Sequence, residues 1–262
     1  MEEQSFTGFR VAADGTVGSI VLDRAAHLNP LSADTLLDLE AGARWFDARA
    51  HVRVVIVRGE GRAFSAGADL ASFTPGGMGD RSAHDAGDAG RRMADAIEAM
   101  RAVAIAQIHG HCVGGGLVLA AACDLRIAAT GTQFSIPEVD LGIPLAWGGI
   151  PRLVREIGPA LTKELVMTCR PFDAEEALAS GFLNRVVDLE ELEDTVHELA
   201  GSIARRPAFA VQATKSATNA VTAGMVGIQR SWSDAEALHA GLRDAEGIRS
   251  REAYMARVKG DG

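Results

Sequence analysis

Two glycine-rich stretches are the first places in this chain where chemistry could be done. One is "GEGRAFSAGADL", Gly59 to Leu70, and the other is "HGHCVGGGLVLAAACD", His109 to Asp124. Small residues let a ligand come close to the backbone. The apolar run after Gly116 predicts a buried helix, with Gly115 and Gly116 at its N-terminus. Free N–H groups point outward at such an end, and the helix dipole adds partial positive charge. Each stretch could therefore offer an amide to one developing oxyanion, the device that stabilises enolates and tetrahedral intermediates. Other glycine chemistry is absent. No Gly-Lys-Ser/Thr ends a phosphate loop, Leu119 stands where a third dinucleotide glycine belongs, and Phe64 and Ala63 precede Ser65 where a nucleophile elbow needs glycine. His109 and His111 flank Gly110; either could serve as a base.

The elements that must position these stretches alternate. "VGSIVLD", "VRVVIVRG", "VAIAQIHG", "CDLRIAAT" and "TQFSIPE" read as strands. Helices are expected from Ser32, as cap, to Phe46 and from Ala86 to Met100. From Pro151 onward helical patterns dominate: "GPALTKELVMT", "DAEEALASG", "LEELEDTVHELAGSIARR", "AFAVQATKSATNAV" and "SWSDAEALHAGLRD". The reading is an α/β core over 1–200 and a helical region over 201–262. The Gly-, Asp- and Ser-rich segment Thr74 to Gly90 is expected to be a mobile surface loop.

The 262 residues can bury a sizeable core, and 47% apolar against 23% charged residues is the balance of a soluble globular protein. A net charge of −9 argues against nucleic acid as a partner. No apolar run approaches the roughly 20 residues that cross a bilayer. The acidic start, MEEQSF, lacks the features of a signal peptide. Cys112, Cys123 and Cys169 have no metal-like spacing. A reduced cytoplasm and no metal are expected.

"AFSAGADL", "GHCVGGGLVLAAACDLRIAA" and "FSIPEVDLGIPLAWGGIPRLVREIG" stand in this order, with "VLDRAAHLNPLS" before them and "PFDAEEALASGFLNRVV" after. Together they resemble the crotonase (enoyl-CoA hydratase/isomerase) superfamily over nearly the whole chain. The resemblance implies a spiral of ββα units, a helical C-terminal trimerisation region, and trimers or dimers of trimers. It implies acyl-CoA thioesters as substrates, with coenzyme A part of the substrate and no separate cofactor. Catalysis would use the amides of Ala68 and Gly115 and the carboxyl of Glu138. Hydratases of this family carry a second glutamate two residues after the glycine triplet, and here that place holds Val118. A lone carboxylate can move a proton from one carbon to another, so the resemblance favours a Δ3–Δ2 enoyl-CoA isomerase. A hydratase of low activity, a different enolate chemistry, or an acyl-CoA-binding protein without catalysis stay open. Asp140, two residues beyond Glu138, would share its side if that stretch is extended. Carried over as substrate-binding are Arg24, Leu28, Ala66, Asp69, Leu70, Gly114, Val118 and Trp147. Tyr254 and Arg257 are expected to reach a neighbouring subunit's coenzyme A. Ala26 replaces a frequent lysine of the coenzyme-binding segment, and Ala146 an aspartate of other members.

Overall fold

The computed structural model describes residues 1–73, 83–227, 231 and 233–260. Its main sheet has seven strands in the order β1-β2-β3-β4-β5-β7-β10. These are β1 (Glu2–Phe6), β2 (Phe9–Asp14), β3 (Val17–Leu22), β4 (Val54–Gly59), β5 (Val103–Ile108), β7 (Leu125–Ala129) and β10 (Arg185–Val187). β1, β2 and β3 form an antiparallel meander, and from β3 onward every pairing is parallel. A smaller sheet holds β6 (His111–Val113), β8 (Gln133–Ser135) and β9 (Phe172–Asp173).

The strand side chains explain the layers. In β4, Val55 and Val57 face one apolar cluster while Val54 and Ile56 face another; Ala104 and Ala106 in β5 alternate with Val103 and Ile105 in the same way. Both faces of these central strands are covered, which is why they read as continuous β-branched and small runs. One face packs on α1 (Ala33–Asp47), α2 (Ala83–Ala99) and α3 (Gly115–Ala122), and the other on α6 (Leu189–Ala204). The Ser32 hydroxyl caps α1 by accepting from the Thr35 N–H at 3.2 Å. Asp173 caps α5 (Ala174–Ala179) through the Glu176 N–H at 2.8 Å.

One expectation needs correction. The segment expected as a loop up to Gly90 is helical from Ala83, and residues 74–82 lie outside those described. Gly87 and Gly90 serve tertiary contact instead of a turn: Gly87 faces Ala235 and Gly90 faces the Trp147 ring. The helix expected from Gly158 is there: α4 (Gly149–Thr168) is two helical segments that meet at the non-helical Gly158 (φ 75°, ψ 164°), just before Pro159, and the first of them, from Gly149, was not expected.

The C-terminal helices are α7 (Ala208–Met225), α8 (Asp234–Arg243) and α9 (Ala245–Gly260). α8 and α9 fold back onto this chain. Gly142 (φ 69°) lies against the Gly247 backbone, and a Cβ there would overlap it. A Cβ on Gly247 would meet the Gly142 and Gly241 carbonyls at 2.7 and 2.8 Å. The buried Arg251 guanidinium then donates to the Leu141 and Leu242 carbonyls at 3.2 and 3.0 Å. We expect Gly247→Val to destabilise the protein by about 1–3 kcal/mol, as overpacking does. Hydrogen exchange should show the loss of protection concentrated in α8 and α9; a loss spread evenly over the sheet would contradict this docking.

Candidate active site

Ser65 joins the two glycine stretches. Its N–H donates to the His111 carbonyl at 3.1 Å, and its own carbonyl accepts from the Val113 N–H at 3.0 Å. Its buried hydroxyl donates to the Asn29 carbonyl at 2.8 Å and accepts the Gly67 N–H at 3.1 Å. The approach is close enough that a Cβ at Gly116 would lie 2.8 Å from Ser65 Cβ. Gly67 (φ 86°) turns the chain beside the triplet, where a Cβ would sit 2.5 Å from the Val113 carbonyl and 3.1 Å from Gly115 N.

The amides of Ala68 and Gly115 emerge from this junction. The Gly67 carbonyl accepts from Leu31 N–H at 2.8 Å and Asp69 N–H donates to the Leu31 carbonyl at 3.0 Å, so the Ala68 N–H between them faces away from Leu31. Gly115 opens α3 behind the Gly114 cap and has no intrahelical acceptor. Neither amide has a hydrogen-bond partner among the described residues. Both residues line one cavity of about 660 Å³.

Glu138 lines the same cavity from a turn in which the Leu141 N–H donates to the Pro137 carbonyl and the Ile143 N–H to the Glu138 carbonyl, both at 3.0 Å. Its Oε1 would stand 2.5 Å from a Cβ at Gly114, so glycine there makes room for the carboxyl. The residue as a whole is half-buried, yet its Oε2 is enclosed without a hydrogen-bond partner. Burial disfavours the anion and pushes the carboxyl up to about 7, against a smaller opposite effect of its own backbone N–H.

The other expected residues divide. Arg24, Leu28, Ala66, Asp69, Leu70, Gly114, Val118, Trp147 and Tyr254 all line the cavity, as does His27. Arg24 and Asp69 pair at 3.0 Å. Val118 is 1% exposed and puts a methyl-bearing wall where a second carboxylate would stand. Tyr254 lines this chain's own cavity, because the glycine contacts bring α9 back onto it. Arg257 does not line it; the guanidinium is exposed and meets Asp140 at 3.4 Å. Asp140 does not share the side of Glu138, because residues 137–140 form a turn where an extended segment would be needed. His109 is structural, with Nε2 on the Gly61 carbonyl at 2.8 Å, whereas the exposed His111 lines the cavity. Gly90, which backs Trp147, was not singled out by sequence reasoning; a glycine inside a helical pattern was its signal.

A family model described as enoyl-CoA hydratase/isomerase matches residues 12–261. This chain belongs to the enoyl-CoA hydratase/isomerase family. It is 37% identical over 201 residues to the crotonyl-CoA hydratase of Syntrophomonas wolfei, covering 76% of each chain. It is 33% identical over 218 residues to a peroxisomal Delta(3,5)-Delta(2,4)-dienoyl-CoA isomerase of Arabidopsis thaliana, covering 79% and 78%. A crystal structure of an enoyl-CoA hydratase from Mycobacterium avium subsp. paratuberculosis shares the fold with a TM-score of 0.85 at 23% identity, over 95% of this chain and 99% of that one. The crotonase fold and an enzyme of the hydratase/isomerase class follow. Among the described residues no helix is long and apolar enough to cross a membrane.

A carboxyl raised to about 7 holds its proton longer in the folded than in the unfolded chain. Stability is then lost as pH rises from the ordinary glutamate value, about 4.5, through about 7. Glu138→Gln removes that loss, so the variant's melting temperature should exceed that of the parent by more at pH 8 than at pH 5. An equal difference at both pH values would show that the carboxyl is not buried as described.

Proposed function

We propose that this enzyme acts on enoyl-CoA thioesters through one acid–base group, Glu138, and that its best-fitting reaction is the Δ3–Δ2 double-bond shift. The single supporting observation is the enclosed carboxyl facing Gly114, beside two unpartnered amides and opposite an apolar Val118. The thioester oxygen accepts from the Ala68 and Gly115 N–H groups. Glu138 takes a proton from C2, the C–H electron pair moves into the carbonyl, and the two amides stabilise the enolate oxygen. The enolate then collapses, its C3–C4 double bond takes the same proton at C4, and the new double bond lies between C2 and C3. Nothing is gained or lost, and one carboxyl poised near neutrality serves in both directions. An oxyanion-hole donor contributes about 10²–10³ in rate.

A second reading is hydration, favoured by the hydratase name of the Syntrophomonas relative. It requires water activation and α-carbon protonation together, with one carboxylate for both. The substrate-binding role of Arg24, Leu28, Ala66, Asp69, Leu70 and Tyr254 belongs to the same proposal, as does assembly into homotrimers or dimers of trimers, in which Arg257, outside this chain's cavity, would reach a neighbouring subunit's coenzyme A. The exposed apolar residues Phe209, Val221 and Met225 on α7 suit such an assembly.

The test is a comparison of 3-enoyl-CoA isomerisation, crotonyl-CoA hydration and acyl-CoA binding on one preparation. We expect isomerisation to exceed hydration. Glu138→Gln should lower turnover by about 10²–10⁴-fold with substrate binding retained. The kcat/KM profile should rise with pH toward a plateau, with its limb near about 7, because the base form is the anion. Full turnover by Glu138→Gln on every thioester would end this reading, and hydration exceeding isomerisation would replace it with the second.

A further inference from the structure

Trp147 stands at the reacting end of the cavity in a backbone conformation that a large side chain rarely takes. Its φ is 59°, in the left-handed region. Its indole fills the space between α2 and α3 so fully that a Cβ on either Gly90 or Gly115 would overlap the ring. Gly115 carries one of the two unpartnered amides, so the ring borders the place where a bound carbonyl would lie. The walls around it are Val118, Leu145 and Ala146, all apolar and buried.

Gly148, the residue following Trp147, is held through both its N–H and its carbonyl. The Gly148 N–H donates to Asp234 Oδ2 on α8 at 2.8 Å. The Gly148 carbonyl accepts from Arg152 Nη1 at 3.2 Å. Arg152 is fully buried and donates through Nη2 to Asp95 at 3.0 Å and Glu98 at 2.6 Å. Asp95 and Glu98 belong to α2, the helix whose Gly90 backs the indole. The clamp and the surface behind the ring are thus one unit. Asp234 itself does not line the cavity. A non-glycine residue held left-handed persists only where the surroundings over-determine it.

We propose that Trp147, held by this clamp, limits the acyl group to short chains, and that Asp234 is a positioning residue for that limit. The inference rests on the acyl-CoA reading above and adds the chain-length class. An acyl chain whose carbonyl sits on the Gly115 amide meets the indole directly: the clamp fixes the backbone that carries the ring, and α2 at Gly90 closes off the space behind it.

Saturated thioesters separate this from catalysis, since neither reaction can occur on them. Butyryl-CoA and dodecanoyl-CoA are titrated calorimetrically into the full chain and into Trp147→Ala, Asp234→Ala and Asp234→Asn. Trp147→Ala should shift the affinity ratio toward dodecanoyl-CoA by about tenfold or more, the scale at which hydrophobic pockets discriminate. Asp234→Ala should shift it in the same direction by a smaller factor. Asp234→Asn should leave it within about twofold, because the amide oxygen still accepts the Gly148 N–H. A ratio unmoved in Trp147→Ala overturns the limit, and equal shifts in the two Asp234 variants overturn the positioning role. If Asp234→Ala does not fold, Trp147→Phe joins Trp147→Ala: a ratio that rises as ring area is lost supports the proposal, and a flat one overturns it. A parent chain that binds neither thioester fails the acyl-CoA reading and takes this one with it, whereas loss of turnover in Glu138→Gln bears only on the catalytic reading.

Discussion

Two segments far apart in sequence meet at Ser65, and the contact is backbone on backbone. The Ser65 N–H and carbonyl pair with His111 and Val113, and its hydroxyl pins both Asn29 and Gly67. Such an approach leaves no space for side chains, which fixes glycine at 67 and 116. It also uses up the neighbouring amides in pairing and leaves those of Ala68 and Gly115 without partners. An unpaired amide in a buried place is costly. On the proposed chemistry that cost prepares the site: donors already held in place need no reorganisation when negative charge develops.

The same tension recurs at Glu138. A carboxyl enclosed by the turn and Gly114 is harder to ionise, and the protein spends stability to hold it there. Trp147 adds a third strained element. Near it the carboxylates are paired: burial alone would raise Glu98, but Arg155 and Arg152 hold its carboxyl below the usual range, while the buried Nε of each arginine has no partner. Asp234 is raised by burial, against which the Gly148 N–H acts.

Much of the fold could be read from the chain because its signals are local. The apolar runs of β4 and β5 are buried on both faces, and Ser32 and Asp173 mark helix starts by their own hydroxyl and carboxyl. The order of the glycine stretches identified the family. What escaped was tertiary. β1 is a mostly exposed edge strand with no apolar alternation, so nothing in "EEQSF" distinguishes it from a loop. Gly87 and Gly90 look like loop residues but sit in a helix because Ala235 and Trp147 press against them. Asp140 was placed by assuming an extended segment, and the hydrogen bonds closing the 137–143 turn send it to the surface, toward Arg257. The return of α9 onto its own chain depends on Gly142, Gly241 and Gly247 touching, a pattern with no periodicity to detect.

That three-glycine contact sets an order on how the pocket comes into being. The amide donors and the acidic turn belong to residues 65–143, whereas Leu238, Leu242 and Tyr254 form another wall of the same cavity. A ribosome adding about 5–20 residues per second exposes the first set several seconds before the last. During that interval the chain lacks the side chains of Leu238, Leu242 and Tyr254 that complete the cavity. Closure then waits on a seam of bare backbone, which any side chain larger than hydrogen would hold ajar.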